Sequence, residues 1–159
     1  SEAKRLMESS LEVVQKLSEC FGRDIYHNGR LNRGLLSSRV FGKSDKIVLL
    51  NSIVHPVVRF DFYRWSESLN EEICFVESAI LYESRFDELV DEVWTVTAPE
   101  ELRISRVRQR SGLTEEEIKK RMAAQLSEEE KQRRAAHIIW NDGNVSVIHR
   151  VLSLLKSLE

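Results

Sequence analysis

In the stretch ELRISRVRQRSG, Glu101 to Gly112, Arg103, Arg106 and Arg110 recur three and four residues apart, with Ser105 and Arg108 between them. On a helix this spacing gathers three guanidiniums on one face, where like charges repel by about 0.2–0.5 kcal/mol per pair. A helix that keeps such a face is either well solvated or turned toward an anion. Acidic neighbours at Glu100 and Glu101 and in the later run TEEE, Thr114 to Glu117, keep the solvated alternative open.

Two further stretches carry polar groups in suggestive places. IIWNDG puts Asn141, Asp142 and Gly143 just past the carboxyl end of an expected strand, where ligands lie in open parallel sheets. A turn closed by an Asn or Asp side chain gives the same residues a purely local role. SEEEKQRR, Ser127 to Arg134, reads as an exposed charged helix. His27, His55, His137 and His149 and the two cysteines, Cys20 and Cys74, match no ligand spacing, so no metal site built by the protein is expected. Two lone thiols suit a reducing cytosol and are expected to be buried and inert. His55, alone before Pro56, reads as a buried, hydrogen-bonded histidine.

The elements that must hold these residues follow from periodicity. From Ala3 to Phe21 the apolar positions recur at three and four, a helix stopped near Gly22. Asn28-Gly29 supplies a left-handed turn. Leu35 to Phe41 and Ser44 to Val54 read as helices, the latter capped by Ser44 and broken at His55-Pro56; Pro56 then opens another helix to Leu69. The pattern changes at EICFVESAIL (Glu72 to Leu81), DEVWTVTA (Asp91 to Ala98) and HIIWN (His137 to Asn141), short apolar runs of the kind found in parallel strands covered on both faces. Glu77, inside the first run, is then either buried and paired or ahead of the strand's true start. Between the last two runs lie a helix opened by Pro99 and stopped by Gly112, and one started by a Thr114–Glu117 capping box. A final helix runs from about Asn144 to Leu158. Strands alternating with helices predict an α/β fold with a parallel sheet.

The whole chain bounds the partners. Its 159 residues are 42% hydrophobic with only six Gly and two Pro, which fits one compact domain. A formal charge of −2, with both signs interspersed over 31% charged residues, provides no bulk basic field for nucleic acid or anionic membrane, so any anion site is local. No apolar run approaches the roughly 18 residues of a membrane span, and no signal-peptide pattern is present, which predicts a cytosolic protein. Self-association is left open.

Several segments together resemble the dephospho-CoA kinase family: FGRDIYHNGRLNRGLLSSRVF (Phe21 to Phe41), LLNSIVHPVV (Leu49 to Val58), AILYESRFDELVDEVWTVTAPEE (Ala79 to Glu101), RVRQRSGLTEEEIKKRMAAQ (Arg106 to Gln125) and HIIWNDG (His137 to Gly143). The likeness runs over nearly the whole chain in the family's order. It implies a three-layer P-loop kinase fold with a parallel sheet, a helical insertion for the CoA moiety and a lid. On that pattern residues 1–70 form the acceptor-side helical region, 71–112 and 135–159 the α/β core, and 113–134 the lid. The implied reaction moves the γ-phosphate of ATP to the ribose 3′-hydroxyl of dephospho-CoA, with Mg²⁺ held chiefly by the nucleotide and small molecules as the partners. The alternative is a module that binds CoA or adenine nucleotides without turnover.

The resemblance also assigns residues. Arg106 and Arg110 fall where this kinase class directs guanidiniums at the triphosphate, and planar forks complement a transferring phosphoryl group bidentately. Arg103 and Arg108 stay with the solvated reading. Gln125, Lys131 and Arg134 fall in the lid, where closure brings them to the nucleotide. Asn141 and Gly143 fall at the turn bordering the adenine, with the Asn141 amide able to pair with a purine edge. Trp140 is read as core. Arg33, His55 and Glu83 are the acceptor-side candidates, Arg33 meeting a phosphate of dephospho-CoA and Glu83 orienting Mg²⁺-bound water or the acceptor. Departures are local: Ala79 for the family's frequent proline, Leu102 for glutamine, Ala136 for aspartate. A larger one is that no GxxxxGK(S/T) loop occurs anywhere in the 159 residues, nor the following strand with its acceptor-activating aspartate. The chain opens already in helical periodicity. The expectation is therefore a piece of a longer polypeptide, inactive by itself, or one completed by a separate segment or partner chain.

Overall fold

The computed structural model describes residues 2–157. The chain divides into two compact units, Ser1–Val76 and Glu77–Glu159. The first is helical. Helices α1 (Glu2–Ser9) and α2 (Leu11–Phe21) replace the single helix expected from periodicity, because Ser10 is extended, with φ −84° and ψ 113°. Serine competes with the helical backbone and favours such breaks. The apolar stripe continues regardless, since Leu6, Val13, Leu17 and Phe21 are all buried.

A tight hairpin follows, with β1 (Tyr26–His27) paired antiparallel to β2 (Arg30–Leu31). Its turn needs two left-handed residues, and Asn28 at φ 49° and Gly29 at φ 74° supply them. The Tyr26 hydroxyl donates to the Met7 carbonyl at 2.6 Å, and burial pushes its pKa up to about 12. Helix α3 (Arg33–Val40) is capped by Asn32, whose side chain accepts from the Leu35 amide at 3.0 Å.

Helix α4 (Ser44–Glu67) is continuous for 24 residues, with Lys43 at its N-cap and Pro56 inside it. The expected break at His55-Pro56 is absent. An interior proline removes a helical hydrogen bond and costs about 3 kcal/mol. Packing outweighs that cost: Ile53 and Val54 on one side of Pro56 are buried in the unit's core, and Val57 and Val58 on the other pack against it. Each fully buried aliphatic side chain contributes roughly 1.5–3 kcal/mol. The rest of that core is Val13, Leu17, Phe21, Ile25, Leu31, Leu36 and Val40.

The second unit holds a parallel pair. β3 (Trp94–Thr97) and β4 (His137–Trp140) align Trp94 with His137, Thr95 with Ile138, Val96 with Ile139 and Thr97 with Trp140. Between them run α5 (Glu100–Ser111), α6 (Glu115–Ala123) and α7 (Glu128–Arg134), and α8 (Val147–Leu155) follows. Gly112, at φ 67°, ends α5, and the Thr114–Glu117 capping box opens α6 as expected. Helix α8 is shorter than predicted because Ser146 caps it, accepting from the His149 amide; the expected end at Leu158 lies outside the described residues. Tyr82, Phe86, Ala98, Ile104, Ile118, Ile139 and Leu154 are buried here.

Glu72 to Leu81 forms no strand. A strand exists only through its ladder, and among the described residues no strand lies alongside to complete one. Glu77 is accordingly exposed. Trp140 is 48% exposed and Val96 57%, so Ile139, rather than the tryptophan, is the core residue of β4. Both cysteines are exposed, contrary to the expectation of buried thiols. No helix among the described residues is long and apolar enough to cross a membrane.

Candidate active site

In the second unit, the carboxyl ends of the two strands determine where polar groups collect. The Asn141 amide continues the ladder by donating to the Thr97 carbonyl at 2.7 Å. Arg106, on α5, donates from Nη1 to the Asn141 carbonyl at 2.6 Å. Two residues chosen from separate motifs are thus brought together, with the guanidinium fixing the turn that follows β4. Asp142 closes that turn, its carboxylate accepting from the backbone amide and the side-chain amide of Asn144 at 3.0 and 2.9 Å. The Asn144 backbone amide is the chief cause that holds the Asp142 carboxyl below its usual range; the Arg106 charge adds least. Gly143 has φ 93°, a conformation that disfavours a side chain. Arg110, one turn beyond Arg106, is exposed and makes no hydrogen bond or ion pair among the described residues, so its fork is available to an external anion.

A second group lies beside the first; sequence reasoning named its Gln125 and Lys131 as lid residues but missed Glu128, Thr97 and the part played by Arg103. Glu128, the first residue of α7, accepts from Thr97 Oγ1 at 2.8 Å and is ion-paired to Arg103 Nη1 at 2.9 Å. Lys131 Nζ stands 3.6 Å from the same carboxylate and donates to Gln125 Oε1 at 3.0 Å. Gln132 donates to Thr97 Oγ1 at 3.4 Å. The side chains of Arg103, Glu128 and Lys131 are only 26%, 21% and 16% exposed. Arg103 therefore does not belong to a solvated face. Its buried Nε finds no acceptor among the described residues, a state that costs about 1–3 kcal/mol for such a group. No signal in SEEEKQRR distinguishes Glu128 from Glu129 and Glu130; the helix's placement against β3 selects it.

The remaining lid candidate, Arg134, and the acceptor-side candidate Glu83 are both anchored. Arg134 pairs with Asp87 at 2.7 Å and lies 4.0 Å over the ring of Tyr82, whose pKa is raised chiefly by burial. Glu83 accepts from the Leu126 amide at 2.6 Å, tying the segment after Tyr82 to the start of the Leu126–Ser127 turn. In the first unit, Arg33 opens α3, exposed, and reaches Glu8 at 3.3 Å. His55 is half-buried within α4 without a hydrogen bond among the described residues, unlike the expected bonded histidine, and burial lowers its pKa. Among the described residues no three His, Cys, Asp or Glu groups converge to hold a metal.

Comparison with known proteins gives the same direction throughout. The family model for dephospho-CoA kinase matches residues 1–146. The dephospho-CoA kinase of Bacteroides fragilis is 35% identical over 158 residues, covering 99% of this chain and 77% of that protein. A Thermus thermophilus crystal structure superposes with a TM-score of 0.81 at 32% identity, over 98% of this chain and 79% of the other. A dephospho-CoA kinase from Campylobacter jejuni shares the fold, with a TM-score of 0.67 at 23% identity over 99% and 83% of the two chains.

Proposed function

The chain belongs to the dephospho-CoA kinase family, and from that premise we propose how its residues serve the final step of coenzyme A biosynthesis, ATP-dependent phosphorylation of the ribose 3′-hydroxyl of dephospho-CoA. The γ-phosphorus bonds to the 3′-oxygen, its bond to the β–γ bridging oxygen breaks with ADP as leaving group, and the hydroxyl proton is released. Little covalent chemistry falls to the protein in such a transfer; positioning and charge stabilisation carry most of the rate.

Arg110 supplies a free fork for the transferring phosphoryl group, and Arg106 serves the triphosphate while holding the base-side turn. Asn141 and Gly143 border the adenine. Residues 113–134 act as the lid, 71–112 and 135–159 as the core, and 1–70 as the acceptor-side region. There Arg33 and His55 meet dephospho-CoA; Glu83, in the second unit, orients Mg²⁺-bound water or the acceptor. Mg²⁺ would be held mainly by the nucleotide's phosphate oxygens and would supply charge neutralisation during the transfer. A cytosolic setting is part of this reading, resting on the two lone cysteines of the sequence, Cys20 and Cys74. Neither nucleic acid nor membrane is a partner in this reading.

The observation that carries the assignment is the Arg106–Asn141 bond, which joins the arginine helix to the turn after β4 at the carboxyl end of the parallel pair, where ligands lie in such sheets. The test is formation of coenzyme A by the full-length protein from ATP, Mg²⁺ and dephospho-CoA. Turnover is expected, and Arg110→Ala should lower kcat/KM by about 10²–10³, the range for losing one transition-state donor. Full-length protein that binds both ligands without forming coenzyme A would instead be a non-catalytic binding module.

A further inference from the structure

We propose that Glu128 is an internal stand-in for a phosphate: its carboxylate fills an anion site made by Arg103, Lys131 and Thr97, and a nucleotide phosphate must displace it before α7 can engage the ligand. The idea rests on the kinase reading for the identity of the displacing anion. Two close donors, Arg103 on α5 and Thr97 at the end of β3, and the nearby Lys131 charge on α7 face one carboxylate. Thr97 is also the residue whose carbonyl receives the Asn141 amide, so this anion sits beside the base-side turn, separated from it by one peptide unit of β3.

The site fits an anion with more oxygens than Glu128 offers. Two cations face one carboxylate. Arg103 engages it through Nη1, while its buried Nε has no acceptor among the described residues. Lys131 is 3.6 Å away, beyond hydrogen-bond range, and donates a hydrogen bond to Gln125 Oε1 instead. A phosphate presents three oxygens and a larger charge to the same donors and can take the arginine bidentately. Glu129 and Glu130 do not share the role: Glu129 is exposed, and Glu130 is paired with Arg133.

An internal competitor lowers apparent affinity by the fraction of time it leaves the site open. The test compares the full-length wild type with Glu128→Gln, titrated with inorganic tripolyphosphate by calorimetry. The variant is expected to bind at least about fivefold tighter, and in steady-state assays its KM for ATP should fall by a similar factor with kcat not raised. On an Arg103→Met background the gain should vanish, which separates this site from other phosphate-binding surfaces. Tripolyphosphate affinity equal to or weaker than wild type, or a gain that survives Arg103→Met, overturns the proposal. If Glu128→Gln does not fold, Glu128→Asp, with a shorter reach, is expected to show an intermediate gain, and none would refute it. Loss of the kinase reading shows separately, as wild-type protein that forms no coenzyme A, while the tripolyphosphate titration still decides whether Glu128 guards the site.

Discussion

Replacing Arg106 with methionine keeps the aliphatic stem of the side chain and removes the Nη1 bond to the Asn141 carbonyl, 2.6 Å long in the structure. A hydrogen bond from a charged donor contributes about 1.5–3 kcal/mol when shielded, and solvent screening at the exposed Arg106 discounts this to about 1–2 kcal/mol. If the bond serves to hold the turn that meets the base, that energy appears as a rise of roughly fivefold to thirtyfold in the KM for ATP. If the guanidinium also meets the transferring phosphoryl group, kcat falls as well. Steady-state formation of coenzyme A at saturating dephospho-CoA, with ATP varied, separates the two contributions. Arg106→Lys, which retains the charge and a single-point donor, should recover part of the KM but not any loss in kcat. The Asn141 amide remains bonded to Thr97 in either variant, so its hydrogen-exchange protection should not change. Kinetic constants of Arg106→Met within twofold of wild type would show that the bond has no part in nucleotide binding.

Leu17 is fully buried in the helical core, and Leu17→Ala should destabilise the protein by about 2–5 kcal/mol in a denaturant titration; a loss under 1 kcal/mol would mean the core collapses around the gap. Thr114→Ala removes the Thr114 Oγ1 acceptor of the Glu117 amide and the hydroxyl's bond to the Glu117 carboxylate while keeping the backbone amide at 114 that Glu117 accepts from, for about 1 kcal/mol, which should speed exchange of the Glu117 amide about fivefold with little change in global stability. His55 has a folded-state pKa below its ordinary value of 6.5 because burial disfavours the imidazolium. The unfolded chain therefore takes up a proton first as the pH falls, and stability present above pH 6.5 declines below it toward the folded-state pKa. His55→Gln should flatten that part of the stability profile, and an unchanged slope would place the titration elsewhere.

Elements whose causes are local were legible in the residues. Thr114 and Glu117 form the capping box their spacing predicts, Asn28-Gly29 forms the left-handed turn, and β3 and β4 form within two of the short apolar runs. Elements that depend on tertiary context were not. Pro56 predicts a break by its chemistry, yet buried Ile53 and Val54 and their neighbours Val57 and Val58 hold α4 together across it. CFVESAI has strand composition, but composition cannot supply the neighbouring ladder, and the segment stays irregular with Phe75 exposed.

The site divides along the same line. Helical spacing left Arg106 with a solvated alternative and the turn after the strand left Asn141 with a purely local one; it was the family resemblance that singled out both. Their meeting follows from parallel pairing, which sets the end of β4 beside the end of β3 and hence beside the start of α5. Glu128 carries no such signal. It is one of three consecutive glutamates at a helix start, and what separates it from the others is that α7 lies against β3 with its first residue over Thr97. A charge becomes a buried charge only through the surface placed opposite it, and that surface is set by residues some thirty positions away, 97 against 128. For the same reason Arg103 could not be told from Arg108 by spacing: both lie on α5, but only Arg103 meets Glu128. Thr97, whose carbonyl accepts from the Asn141 amide and whose hydroxyl donates to Glu128, therefore links the two hydrogen-bonded groups through one residue of β3.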